Sequence, residues 1–238
     1  MKKTKIQYME DLMVDRIEGF LGVSSDVKKS KIPALQDRWQ SITGLILALF
    51  MVCHMLFTGS ILIGKDAYEG VVSFAEPFGI HQITNIVAFV ILIIFMIHGF
   101  LAMRKFPSNY KAYLAFKAHK IRMKHCDTTL WWFQFWTGFL LFFFASAHII
   151  AIVFGDKISA DLSITRFADL HLFYFVLLIF VVTHASIGCY RLYVKWISID
   201  GKEDERKAKR QTVKKIIFAV WGILFILSII ADIKWISL

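Results

Sequence analysis

"IFMIHGFLAMRKFP", residues 94–107, sets one histidine inside an apolar run that stops abruptly at Arg104, Lys105 and Pro107. An imidazole in hydrocarbon is costly unless something satisfies it, so His98 is either a hydrogen-bonded packing residue or a ligand. The run reaches back to about residue 81 without an acid, a lysine or an arginine. That exceeds the ~18 apolar residues that mark a membrane-crossing helix.

Working outward, four further runs of the same kind cover about 39–63, 130–154, 167–196 and 216–235, in a chain of 238 residues that is 57% hydrophobic. The pattern predicts an all-α integral membrane protein, a bundle of five transmembrane helices forming one domain over residues 1–238. Pro77 and Pro107 fall in connections, where proline belongs. Read end to end, the chain shows no internal repeat, and it has no soluble segment large enough to hold its own core. Residues 1–38 carry acids among their bases and lack the apolar core of a secretory signal. They read as a cytoplasmic amphipathic segment. The loop 104–129 alternates aromatics and bases at helical spacing, which predicts a short interfacial helix. Cys53, Cys126 and Cys189 show no CxxC pairing and read as packing residues.

A net charge of +10 raises the question of nucleic acid, and its distribution answers against it. Eight Lys/Arg lie in 1–38, seven in 104–124 and eight in 195–215, while 64–81 holds Lys65 alone and 155–166 holds Lys157 and Arg166. This is the positive-inside pattern, so the three basic segments face the cytoplasm. With the N-terminus inside, five spans put the C-terminus outside.

Four of the eight histidines fall within successive spans: His54, His98, His148 and His184. His54 lies ten residues before Gly64 and His148 seven before Gly155, at the outer ends of their spans. His98 lies six before Arg104 and His184 seven before Arg191, at the inner ends. At about 1.5 Å per residue these offsets are roughly 10–15 Å from one membrane face or the other. The four therefore sort into an outer pair, His54 with His148, and an inner pair, His98 with His184. Two imidazoles facing each other across a bundle can ligate one haem iron. Gly99, Ala102, Ala147, Ala185 and Gly188 beside them leave room for a flat macrocycle. The absence of CxxCH predicts non-covalent, b-type haem. Zinc is a poor competitor, because each layer offers two histidines with no cysteine or carboxylate at the same depth.

On "WQSITGL" (39–45), "VCHMLF" (52–57), "HGFLAMRKFP" (98–107), "DTTLWW" (127–132), "SAH" (146–148) and "THASIGCYRLYVKW" (183–196), the chain resembles the five-span dihaem cytochrome b subunit of quinol:fumarate reductase. The resemblance implies one haem on His98 and His184 near the cytoplasmic partners and another on His54 and His148 near the outside. It implies hydrogen bonds from Gln40, Ser41, Trp131 and Lys195 to the inner haem's propionates. "SITR" matches the family's Ser-x-x-Arg, which implies that Ser163 and Arg166 meet an outer propionate. In "GKDAYEGVVSFAEPFG" (64–79), Glu76 stands where the family carries its quinol-site glutamate, with Asp66 and Glu69 as rivals for the proton acceptor that quinol oxidation needs.

The function so implied is that of a membrane anchor and electron conduit in a bacterial inner membrane. Menaquinol is oxidised near the outer haem, and electrons pass through the inner haem to an iron–sulfur subunit and on to a flavoprotein subunit, carrying FAD, that reduces fumarate. Those partners sit on the cytoplasmic face, and a dimer of such heterotrimers is a further expectation. Succinate oxidation by quinone uses the same parts in reverse. The rival from another class is a transporter whose histidines relay protons. One position departs from the family pattern: well-known members carry a glutamate two residues before the fourth ligand, assigned to a compensating proton path, and here that residue is Val182 in "IFVVTHAS". The departure predicts electron transfer that separates charge.

Overall fold

The computed structural model describes residues 32–76, 82–123, 126–197 and 201–238. The segment 1–31, read above as amphipathic, lies outside the described residues, as do Pro77, His81 and His125. The elements in order are α1 (Ile32–Gly59) with a 3₁₀ turn at Ser60–Leu62, α2 (Lys65–Ala75), α3 (Gln82–Met103), α4 (Tyr110–Met123), α5 (Cys126–Val153), α6 (Ala160–Trp196) and α7 (Glu203–Ser237). Among the described residues five helices, α1, α3, α5, α6 and α7, are long and apolar enough to cross a membrane.

The five pack as a ring in which α1 touches α3, α3 touches α5, α5 touches α6 and α6 touches α7, and α7 closes back onto α1. Each outer surface is apolar, with Leu49, Phe100, Phe143 and Ile226 all more than half exposed. Such a surface is stable only against lipid, and helices, which pair their backbone groups internally, meet the bilayer's demand for internal hydrogen bonding.

Two short helices decorate the ends. At the outer end the chain leaves the first span through Gly64, whose φ of 148° favours a residue without Cβ. It then folds α2 back so that Tyr68 and Val72 pack with Ile61, Ala160, Ala231 and Trp235. The start of α6 is pinned there: Ser159 Oγ accepts from Leu162 N at 3.2 Å, and Glu69 Oε1 accepts from Ala160 N at 2.6 Å. Helix α6 leaves helical geometry at Leu170 (φ −121°, ψ 22°), between its first turns and His184. At the inner end α4 buries none of its residues. Its Phe116 packs edge-on to Trp131 (ring centroids 4.3 Å) and stacks on Trp132 (5.3 Å), which ties the loop 104–129 to the start of α5.

Candidate functional site

The inside of the ring is a cavity of about 1230 Å³, lined by all four span histidines. It exceeds the ~300–1000 Å³ typical of a pocket for one drug-sized ligand. The predicted pairs meet within it: His54 and His148 have ring centroids 6.0 Å apart, and His98 and His184 6.4 Å. Two imidazoles sharing one iron should have ring centres about 6 Å apart, since each nitrogen sits about 2 Å from a first-row metal and about 1 Å from its own ring centre. Among the described residues no group of three or more His, Cys, Asp or Glu converges on one point, so the donor sets suit a macrocycle that fills its own equatorial positions.

The inner pair is held by a device that appears twice. On α1, Gln40 O and Thr43 Oγ1 each lie 3.2 Å from His98 Nδ1. On α5, Gln134 O lies 3.1 Å and Thr137 Oγ1 3.3 Å from His184 Nδ1. Each threonine hydroxyl donates to its own helix, Thr43 to Trp39 O and Thr137 to Phe133 O, and so presents a lone pair to the ring. Nδ1–H therefore donates, and Nε2 is left as the nitrogen free for a metal. The glycine that follows each threonine makes the approach possible. A Cβ on Gly44 would sit 2.9 Å from His98 Cε1, and one on Gly138 would sit 2.8 Å from His184 Cε1.

These cradles are the same string, Gln-x-x-Thr-Gly, at 40–44 and 134–138, and each is followed ten residues after its glycine by an outer histidine, His54 or His148. The reading that the chain has no internal repeat is thus corrected: α1 and α5 share a fifteen-residue pattern in which Gln, Thr, Gly and His hold the same four positions. Its polar members are too sparse to stand out from the apolar filler, and only the matching contacts to His98 and His184 give the spacing a meaning. The ten-residue interval puts the two layers about 15 Å apart along the helices.

Gln40, Ser41, Trp131 and Lys195 all line the cavity at the end of the inner histidine pair. Lys195 Nζ donates to Ser41 Oγ at 2.8 Å and pairs with Asp37 at 2.5 Å, and Asp37 also pairs with Lys105 (2.5 Å) and Arg104 (3.0 Å). Burial holds the Lys105 ammonium below the ordinary lysine range despite that pairing. Gln40 Oε1 is buried without a partner. The cations and hydroxyl of this rim are donors that fit a carboxylate such as a propionate. Arg191, which sequence reasoning used only to mark the span's end, lines the same rim and donates to Gln134 Oε1 at 2.6 Å.

At the other end Ser163 and Arg166 line the cavity, and Ser163 Oγ lies 3.0 Å from Tyr68 Oη. Burial raises the Tyr68 phenol above its usual value, so it stays protonated. Among the described residues the outer histidines have no carbonyl–threonine cradle: His148 Nδ1 is buried with no hydrogen-bond partner, and His54 stacks on Phe50 at 5.5 Å. A buried imidazole nitrogen without a hydrogen bond calls for a partner.

Glu76 caps the end of α2 with its side chain 2% exposed. Thr84 Oγ1 donates to its Oε1 at 2.9 Å, and Lys157 Nζ stands 3.8 Å from Oε2. It does not line the cavity, although its neighbours Ala75 and Thr84 do. Of its rivals, Glu69 is engaged at the start of α6 and Asp66 is exposed. Val182 packs against the cluster of Met55, Trp221 and Leu224, an apolar setting.

The succinate dehydrogenase/fumarate reductase transmembrane subunit family matches residues 110–224. The fumarate reductase cytochrome b subunit of Wolinella succinogenes is 39% identical over 227 residues, covering 92% of this chain and 89% of that protein. The fumarate reductase cytochrome b subunit of Helicobacter pylori is 46% identical over 198 residues, covering 78% of each.

Proposed function

Since this chain belongs to the family of fumarate reductase cytochrome b subunits, an integral-membrane anchor family, we propose that it carries two b-type haems and conducts electrons from menaquinol to subunits on the cytoplasmic face. His98 and His184 hold the inner haem and His54 and His148 the outer one. Gln40, Ser41, Trp131 and Lys195 serve the inner propionates, and Ser163 and Arg166 an outer one. When bound, the haems supply one-electron steps between the layers. The chain's own residues orient them, exclude water, and move protons at the quinol site, where Glu76 accepts a proton behind Thr84.

The partners are an iron–sulfur subunit and an FAD-bearing flavoprotein that reduces fumarate, docked on the basic inner loops. The membrane is the bacterial inner membrane, with the N-terminus cytoplasmic and the C-terminus outside, and heterotrimers pair as dimers. The observation that carries this reading is the two imidazole pairs at 6.0 and 6.4 Å in one cavity. A visible spectrum of the purified chain tests it. Reduced b-type bands with two haems per chain are expected, and a colourless protein would overturn it in favour of a histidine proton relay.

Val182 in its apolar cluster carries no proton. Quinol protons released outside and fumarate protons taken up inside then leave two charges uncompensated per turnover, at about 2.3 kcal/mol each against about 100 mV. The complex is therefore electrogenic with menaquinol, or it works as a succinate:quinone reductase that the membrane potential assists. Sealed liposomes with a potential-sensitive dye decide. Rapid fumarate reduction with no potential would show a compensating path.

A further inference from the structure

Oxidation of a 1,4-quinol breaks two O–H bonds at opposite ends of one ring, so two proton acceptors serve it where a single carboxylate would have to act twice. Resting on the quinol-oxidation reading above, we propose that Asp232 on α7 is the second acceptor, taking the proton of the hydroxyl that Glu76 does not serve.

Asp232 lies in the apolar stretch "ILSIIADIKW" (226–235) of a membrane-crossing helix, is half-buried, and lines the outer part of the cavity. An ionisable group in that setting needs a partner or a task. Among the described residues no hydrogen bond or ion pair engages it, whereas the other carboxylates of this end are used or face away. Glu69 caps Ala160 and Asp161 pairs with Lys65 at 2.6 Å, while Glu76, the first acceptor, has Oε2 without a hydrogen bond and meets the cavity through Thr84, which lines it. Asp66, Asp156 and Asp169 are exposed, and none of these six lines the cavity.

The surroundings place it beside the electron acceptor. Ser228, Asp232 and Trp235 recur at i, i+4 and i+7 and present one face of α7 to the cavity. Trp235 packs on Tyr68 (ring centroids 4.7 Å) and Phe167 (5.6 Å), closing the outer end with an aromatic wall suited to a flat ring. Trp235 also shares a cluster with Ile61, seven residues beyond His54 on the first span, which sets Trp235 about 10 Å, and Asp232 three residues before it about 6 Å, outward of the outer histidines. The remaining charged or titratable groups lining this end are His54, Tyr68, His148, Arg166 and Tyr174. Arg166 is the one cation among them.

The balance is complete. A b-type haem held by His54 and His148 would supply the oxidant, its ferric iron taking the two electrons one after the other. One proton goes to Asp232 and one to Glu76, each to be released to outer water, and the quinone keeps both oxygens as carbonyls.

The test uses the intact complex with 2,3-dimethyl-1,4-naphthoquinol as donor, and reduced benzyl viologen as a donor that bypasses the quinol site. Asp232→Asn should lower kcat with the naphthoquinol by about 30-fold or more while KM stays within about twofold. Haem content and viologen-driven fumarate reduction should be unchanged, and Asp232→Glu should restore most of the rate. Naphthoquinol turnover within about twofold of wild type in Asp232→Asn overturns the proposal, as does equal loss of haem in both variants. If Asp232→Asn does not assemble, Asp232→Glu decides: a displaced pH–rate profile supports the role, and an unchanged profile and rate overturn it. Failure of the underlying reading looks different, since the wild-type complex would then not oxidise the naphthoquinol at all while viologen still drove fumarate reduction.

Discussion

The inner and outer histidine layers have almost the same ring separation, 6.4 and 6.0 Å, yet they are held by different means. Each inner ring is fixed by a backbone carbonyl and a threonine on the neighbouring helix, with a glycine cleared beneath it. The outer rings rest on packing, His54 against Phe50 and His148 against Tyr174, and His148 keeps an unpaired nitrogen. A hydrogen-bonded Nδ1–H sets the tautomer and raises the basicity of the other nitrogen before any ligand arrives. The inner pair is oriented in advance by main-chain carbonyls and threonines. The outer site leaves a buried polar atom, worth about 1–3 kcal/mol when unsatisfied, to be settled by what binds there.

The largest effect should come from removing an inner ring. His98→Ala leaves His184 as a lone ligand, so the inner haem is lost and menaquinol-driven fumarate reduction falls by about 1000-fold or more, while the outer b-type bands persist. Haem per chain and turnover are to be measured separately; two haems at full activity would end the assignment. At the outer end Glu76→Gln removes a base and no ligand. Both haems and viologen-driven activity should remain while quinol oxidation slows by about 100-fold. An unchanged rate would move the base to another outer carboxylate.

The cradle itself is probed by Gly138→Ala, whose new Cβ meets His184 at 2.8 Å against a ring pinned by Gln134 and Thr137. Inner-haem occupancy should fall several-fold with the outer haem intact, and equal loss from both layers would erase the distinction drawn here. Thr43→Val is the mildest change, removing one of two acceptors from His98 Nδ1. A net loss of about 1 kcal/mol or less raises the inner haem's midpoint potential by up to about 40 mV, because a less basic imidazole stabilises ferric iron less. A redox titration should show that shift in one of two b-type components, and movement of both would mean the layers are not separately tuned.

The five crossings, their apolar faces and the sorting of histidines by depth were legible in the sequence, because hydrophobic run length, basic loops and a fixed rise per residue are local properties of the chain. The rim residues Gln40, Ser41, Trp131 and Lys195 were legible through resemblance, and they line one end of the cavity together. Hidden from sequence reasoning were the paired Gln-x-x-Thr-Gly cradles, the inner-rim place of Arg191, and the withdrawal of Glu76 from the cavity wall. Each depends on which face of one helix meets which residue of another.

The sequence by itself therefore determined a five-helix membrane protein with two layers of histidines, since burial in lipid demands long apolar helices and a helix converts residue number into depth. Rotation of each helix about its axis was decided only by the tertiary structure. A carboxylate's depth follows from counting, but its direction follows from packing between helices. That packing turned Glu76 toward Thr84 and Lys157 and turned Asp232, on a helix the histidine pattern never singled out, into the cavity.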